Sequence, residues 1–97
     1  MRVTVSVRHC SITDELRDRA GQVVDRLVQR TPFAQDATVV FDVETLRQTA
    51  EIRIHLAGGE VLVATGEGDD HRTALDAAEA RMRRQLEKPA ARPRRGA

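Results

Sequence analysis

The chain has 97 residues, of which 40% are hydrophobic, 32% are charged and only two are aromatic. This length fits a single domain with one small core, and the composition argues against disorder along the whole chain. No apolar run is long enough to span a membrane, no secretory signal is expected, and the one cysteine cannot form an internal disulfide, so we expect a cytoplasmic protein.

Residues 2–31 predict a strand followed by a helix. Residues 2–7 alternate strictly between polar residues and valines, which predicts a strand with Val3, Val5 and Val7 facing the core. Thr13 can cap a helix that opens with two acidic residues. We expect this helix to stop near Thr31, because a proline follows and disfavours helical geometry in the residue before it.

Three more strands and a second helix are predicted downstream. Apolar residues alternate over residues 39–43 and 50–56, and Gly58-Gly59 supplies the turn into a fourth strand at 61–64. We interpret Gly66-Glu67-Gly68 as a turn. Asp69 or Asp70 can cap the second helix, which Pro89 should end. The core face of this helix should carry Leu75, Ala78, Met82 and Leu86.

The predicted fold is α+β with the order β-α-β-β-β-α. A four-stranded, mostly antiparallel sheet should carry both helices on one face, in the manner of a double-stranded-RNA-binding domain. This domain should cover residues 1–88, and residues 89–97 should form a disordered basic tail. The residues expected to share the core include Val5, Phe41, Ile54, Leu75 and Met82.

The formal net charge of +1 hides an asymmetry along the chain. Residues 1–70 carry eight Lys or Arg against twelve Asp or Glu, whereas residues 71–97 carry eight against three. Helical periodicity places Arg81, Arg84 and Lys88 on one flank of the second helix, with no acidic residue four positions away from any of them. The opposite flank can pair its own charges, as Arg72–Asp76, Glu79–Arg83 and Arg83–Glu87.

The first helix repeats this arrangement, with Arg19, Arg26 and Arg30 on one flank. Because the helices should run roughly parallel, the two basic strips could form one positive surface that binds RNA phosphates. The alternative interpretation is that each strip is only a solvated helix face. The open face of the sheet carries more acidic than basic residues and no aromatic residue, so base stacking on the sheet is a poor fit.

No catalytic or metal-binding constellation is evident. His9 and Cys10 are adjacent, and neighbours in sequence rarely point at each other as base and nucleophile. His55 and His71 lack metal-ligand spacing, and a helix cap explains Asp69-Asp70. We therefore predict no metal, no cofactor, no small-molecule substrate and no enzymatic activity.

A further pattern extends in order over residues 1–88 and is strongest in the second helix. Its segments are Arg8-His9, Ile12 to Arg17, Leu46-Arg47, Ala50 to Ile52, Gly58 to Ala64, Asp70, Thr73 to Asp76, Arg81 to Leu86, and Lys88. Together these segments resemble the bacterial ribosome hibernation-promoting factor family, whose members are also called ribosome-associated inhibitors or sigma-54 modulation proteins.

The resemblance implies the β-α-β-β-β-α fold and a role in silencing ribosomes during stress or in stationary phase. Family members lodge in the small ribosomal subunit, contact the rRNA and obstruct the mRNA and tRNA sites. They carry basic residues at the positions of Arg81, Arg84 and Lys88. The chain departs from the family at Arg72, where a tyrosine is common, and at the end of the first helix, where only Phe33 remains of an aromatic pair. It resembles the short form, without the long form's dimerisation domain.

Two other classes of function remain open. A protein-interaction module could use the same helical surface on an acidic partner and modulate a transcription or stress factor. A small transfer enzyme could use Arg8, His9 and Cys10, but it would need a cleft that the sequence does not reveal.

Overall fold

The computed structural model describes residues 2–87, which form four strands and two helices in the predicted order. Lys88, Pro89 and the proposed basic tail lie outside the described residues. The elements are β1 (Arg2–Val7), α1 (Asp14–Val28), β2 (Ala34–Glu44), β3 (Arg47–Leu56), β4 (Val61–Gly68) and α2 (His71–Leu86).

The strands form one sheet in the spatial order β1-β2-β3-β4. β1 and β2 are parallel, because α1 connects them and returns the chain to the same end of the sheet. The other two pairs are antiparallel and joined by tight turns. The predicted α+β architecture with a mostly antiparallel sheet is therefore confirmed.

One face of the sheet and the inner faces of both helices enclose a single core. Phe41, Ile54, Leu75 and Met82 are fully buried there, as expected from the alternating and helical patterns. Val5 packs against this core and is only partly buried. Val7 was expected to face inward but is 37% exposed, because it ends an outer strand that lacks a neighbour on one side.

Residues 66–68 belong to β4, so the predicted turn at Gly66-Glu67-Gly68 is wrong. Gly66 and Gly68 are buried against α2. A Cβ at Gly66 would overlap the carbonyl oxygen of Ala74 and the backbone nitrogen of Ala78, and one at Gly68 would lie 2.7 Å from Cγ2 of Thr73. These glycines let the backbone of α2 pack directly on β4, which is a use of glycine that resembles a turn signal in the sequence.

Side-chain caps begin both helices where the sequence predicts them. The Thr13 hydroxyl accepts a hydrogen bond from the Leu16 N–H at 3.0 Å, and the Asp70 carboxylate accepts one from the Thr73 N–H at 2.7 Å. This hydrogen bond is the main reason why the pKa of Asp70 lies below its ordinary value. No helix within residues 2–87 is long and apolar enough to cross a membrane.

The first prediction concerns the contact between Gly66 and α2. Gly66→Ala should lower the free energy of unfolding by about 1–3 kcal/mol or more, because the helix backbone must move away from β4. Urea denaturation monitored by circular dichroism measures this loss.

Gly21→Ala is the matched control for that substitution. Gly21 lies inside α1, and nothing within 4 Å would meet an added Cβ. The control should therefore raise stability by about 0.4–1 kcal/mol, since alanine restricts the unfolded chain and favours the helix. A Gly66→Ala variant as stable as the wild type would contradict the close packing of α2 on β4.

The second prediction concerns the pH dependence of the Asp70 cap. Because the folded-state pKa of Asp70 is lowered, its ionised form stabilises the fold above the ordinary value of 3.8, and this contribution disappears as the pH falls through the folded-state pKa. Asp70→Asn keeps a capping oxygen but cannot ionise. The wild type should have the higher urea midpoint near neutral pH, and the difference should vanish in acid. A difference that persisted in acid would contradict this assignment.

Candidate nucleic-acid interface

The outer flank of α2, which is defined by Arg81, Arg84 and Gln85, lies along the free edge of β4. The Arg81 guanidinium donates from Nη1 to the carbonyl oxygen of Thr65 at 2.6 Å, and the Gln85 side chain donates from Nε2 to that of Val63 at 2.7 Å. Both contacts depend on the close approach of α2 to the strand at Gly66. Arg81 is exposed, and its partner is a neutral carbonyl, so its positive charge is not compensated there.

Arg84 lies one turn further along α2 and is also exposed. Within residues 2–87 its side chain forms no hydrogen bond or ion pair, and the same holds for Arg72 at the start of the helix. Two members of the predicted basic strip, Arg81 and Arg84, are thus solvent-accessible and unneutralised. The third, Lys88, lies beyond the described residues.

The three arginines of the strip predicted on α1 all pair with carboxylates, two of them on α2; Arg30 lies just after the end of α1 and pairs with Glu87 at the C-cap of α2. This strip therefore faces the seam between the helices, and it does not join the outer flank of α2 in one unpaired positive surface. The expected single surface does not form because core packing sets the rotation of each helix about its own axis. The pairs are Arg19–Asp76 at 2.9 Å, Arg26–Glu79 at 3.2 Å and Arg30–Glu87 at 3.5 Å.

These contacts between helices replace most of the pairing expected within α2. The predicted pair Glu79–Arg83 is confirmed at 2.9 Å. The predicted pairs Arg72–Asp76 and Arg83–Glu87 are absent from the described structure, because Asp76 binds Arg19 of α1 and Glu87 binds Arg30 just after α1. Spacing along one helix could not reveal the competing partners on the other.

Glu79 is the central carboxylate of this seam. Its side chain is only 9% exposed, and it accepts hydrogen bonds from both Arg26 and Arg83. A buried carboxylate is costly unless charged donors satisfy it, so the two guanidinium groups compensate for its burial. Carboxylates thus neutralise the positive charge at the seam between the two helices, whereas the positive charge on the outer flank of α2 is not neutralised.

The open face of the sheet has a different character. It carries the ion pairs Arg53–Glu51 and Arg47–Glu67. Asp42 lines a small groove of about 180 Å³ together with Glu44, Glu51 and Arg8. The pKa of Asp42 lies below its ordinary value, chiefly because of its hydrogen bond with the His9 ring at 3.1 Å. Paired and acidic groups make this face a weaker site for phosphates than the outer flank of α2.

The residues considered for catalysis have structural partners. The Cys10 thiol donates to the carbonyl oxygen of Phe41 at 3.6 Å, and the His9 ring is bound to Asp42. His71 hydrogen-bonds the Asp42 carbonyl oxygen through Nε2 at 2.9 Å and meets the Phe41 ring edge to face. No group of three or more metal-ligating side chains occurs within the described part of the chain.

Two side chains at the sheet edges were missed by the sequence analysis. Gln85 closes part of the β4 edge, and Arg17 of α1 donates from Nη1 to the carbonyl oxygen of Val5 on β1 at 3.3 Å. The available signal was the spacing of Gln85, four residues after Arg81 and therefore on the same helix face.

Comparison with known proteins gives consistent results. Residues 3–94 match the family model described as sigma 54 modulation protein / S30EA ribosomal protein. The chain is 34% identical over 88 residues to a ribosome hibernation promoting factor of Pseudomonas putida, covering 91% of this chain and 85% of the relative. It is 30% identical over 88 residues to the factor of that name from Escherichia coli K12, covering 91% of this chain and 92% of the relative.

Solved structures share the fold. The N-terminal domain of Protein Y from Thermus thermophilus aligns with a TM-score of 0.74 at 28% identity, covering 91% of this chain and 98% of that domain. A ribosomal subunit interface protein from Coxiella burnetii aligns with a TM-score of 0.77 at 20% identity, covering 95% of this chain and 100% of that one, which shows a common fold. The chain therefore belongs to the family of sigma 54 modulation proteins and S30EA ribosomal proteins.

Proposed function

We propose that this protein is a ribosome hibernation factor. It binds rRNA of the small ribosomal subunit in the cytoplasm, obstructs the mRNA and tRNA sites and inhibits translation during stress or in stationary phase. The family and the names of the relatives support the general role. The observation that supports binding to RNA is the unneutralised positive charge on the outer flank of α2, at Arg81 and Arg84.

Phosphate groups of folded rRNA are the proposed ligands of this flank. Arg84 offers a complete guanidinium fork, which matches phosphate oxygens well. Arg81 donates one Nη1 hydrogen to the carbonyl oxygen of Thr65, and its other donors are available to a phosphate. Ala80 is exposed beside them, and its small side chain lets a phosphate backbone approach closely. Lys88 extends the flank in sequence, and its contact with rRNA stays a prediction.

Arg19, Arg26 and Arg30 have a secondary place in this proposal. Their side chains are between 31% and 53% exposed, so each retains donors at the surface. Their charges are balanced by Asp76, Glu79 and Glu87, which weakens their attraction for phosphates. Contact of these three arginines with rRNA stays a prediction.

Binding alone is sufficient for this function, and no covalent step is invoked. A protein that occupies the mRNA and tRNA sites inhibits translation by excluding other ligands. The protein therefore needs a surface that fits the rRNA and attracts its phosphates, and it needs no cofactor, metal or small-molecule substrate.

The alternative ligand of the same flank is an acidic protein partner. A sedimentation experiment distinguishes the two ligands: binding to purified small subunits at low salt that is lost at high salt supports rRNA as the ligand.

The third prediction tests the outer flank of α2. Arg84→Ala and Lys88→Ala should each weaken binding to small subunits and lower the magnitude of the log–log salt slope by roughly 1, since each removes about one phosphate contact. The triple variant Arg81→Ala/Arg84→Ala/Lys88→Ala should no longer inhibit translation in an extract. Binding is measured by co-sedimentation over a range of salt concentrations.

Arg83→Ala is the internal control of equal charge. Arg83 is paired with Glu79, which keeps Arg26 as a second partner when Arg83 is removed. The control should bind more tightly than the Arg84→Ala and Lys88→Ala variants. Full inhibition by the triple variant, or greatest damage in the Arg83 variant, would show that the proposed surface is wrong.

The fourth prediction separates the structural role of the seam from binding. Arg26→Ala leaves the buried Glu79 with one of its two charged partners, so it should lower the free energy of unfolding by about 1–3 kcal/mol. Arg84→Ala, which breaks no contact within residues 2–87, should leave stability nearly unchanged. A melt of each variant beside its binding isotherm measures both effects. Equal stability with stronger loss of binding in Arg26→Ala would instead place rRNA at the seam.

A further inference from the structure

The outer edge of β4 is a surface that could pair with another strand. β4 is the last strand of the sheet, so one side of its backbone has no strand neighbour. Residues 61–65 are Val-Leu-Val-Ala-Thr, an uncharged segment with strong β-propensity and no proline. Exposed edges of this composition tend to add a strand from another molecule.

Two side chains of α2 occupy this edge. The carbonyl groups of Val63 and Thr65 point away from β3 and accept hydrogen bonds from Gln85 and Arg81. Helix residues four apart are separated by about 6 Å along the helix axis, and strand residues two apart by about 7 Å along the strand. The two spacings agree closely enough for one helix flank to bind successive outward carbonyls.

A helix side chain also binds a backbone carbonyl at the opposite edge of the sheet. Arg17 of α1 binds the carbonyl oxygen of Val5, on the outer strand β1, at 3.3 Å. On each outer strand, at least one backbone carbonyl is therefore bound by a side chain from the helix that packs beside it. The longer contact at β1 involves one carbonyl, whereas the contacts at β4 involve two and measure 2.6 and 2.7 Å.

We propose that Arg81 and Gln85 close the β4 edge against pairing with a second copy of this chain, and thereby keep the free protein monomeric. A second copy is the fitting occupant because two β4 strands related by a twofold axis would pair antiparallel and form a self-complementary interface. Val61 and Val63, each 39% exposed on the open sheet face, would then lie near their symmetry mates. This inference is independent of ribosome binding.

The double variant Arg81→Ala/Gln85→Ala tests the proposal. Sedimentation equilibrium over a range of concentrations should show a dimer for the double variant and a monomer for the wild type. Backbone hydrogen bonds across the opened edge should strengthen self-association by at least about tenfold. The matched control is Arg72→Ala/Gln22→Ala, which removes the same side-chain types from exposed helix positions that contact no strand edge. The control should stay monomeric.

A third substitution identifies the surface. Thr65 lies on the open face of β4 opposite Glu51 of β3, so Thr65→Lys gains a cross-strand partner while placing charge at the opened edge. Added to the double variant, it should restore the monomer. If the double variant fails to fold, Gln85→Ala alone should still give measurable self-association by freeing the Val63 carbonyl.

Two outcomes would overturn the proposal. One is a variant that melts like the wild type and remains monomeric at every concentration. The other is a dimer that persists unchanged with Thr65→Lys, which would place the contact on a different surface. Neither measurement involves ribosomes, so the result stands apart from the proposed function.

Discussion

The direct contact between the backbones of α2 and β4 is the constraint on which the rest of this structure depends. Gly66 has no Cβ, and the facing residues Ala74 and Ala78 are small and fully buried. Larger side chains at these positions would lift the helix away from the sheet. The helix would then be too far from the strand for Arg81 and Gln85 to reach the carbonyl groups at its edge.

The same placement of α2 divides its charged residues between two environments. On the inner side, Glu79 is buried between the helices and is satisfied by Arg26 and Arg83. On the outer side, Arg84 has no charged partner within the described residues, and Arg81 has only a neutral one. The net charge of the chain is +1, so attraction for an anionic ligand depends on this separation and not on total charge.

The two roles proposed for Arg81 are compatible because a guanidinium group carries five hydrogen-bond donors. One donor closes the strand edge, and the others remain available to a phosphate. Its contact with Thr65 also restricts the side chain before any ligand arrives, so less conformational entropy is lost on binding. Arg84 has no such contact within the described residues, so a ligand that bound it would have to order its side chain.

The sequence by itself determined the order of elements, the helix caps and most residues of the core, although Val7 was an exception. Those features depend on local patterns: alternation in the strands, helical spacing and the capping residues Thr13 and Asp70. It also placed Arg81 and Arg84 on one exposed flank, although their role in binding remains a prediction. Only the tertiary structure decided the role of Gly66, whose neighbours Ala74 and Ala78 follow it in the next element. Likewise it decided that Asp76 and Glu87 bind arginines in or just after α1, because the partners of a charged side chain depend on how two helices are rotated against a shared core.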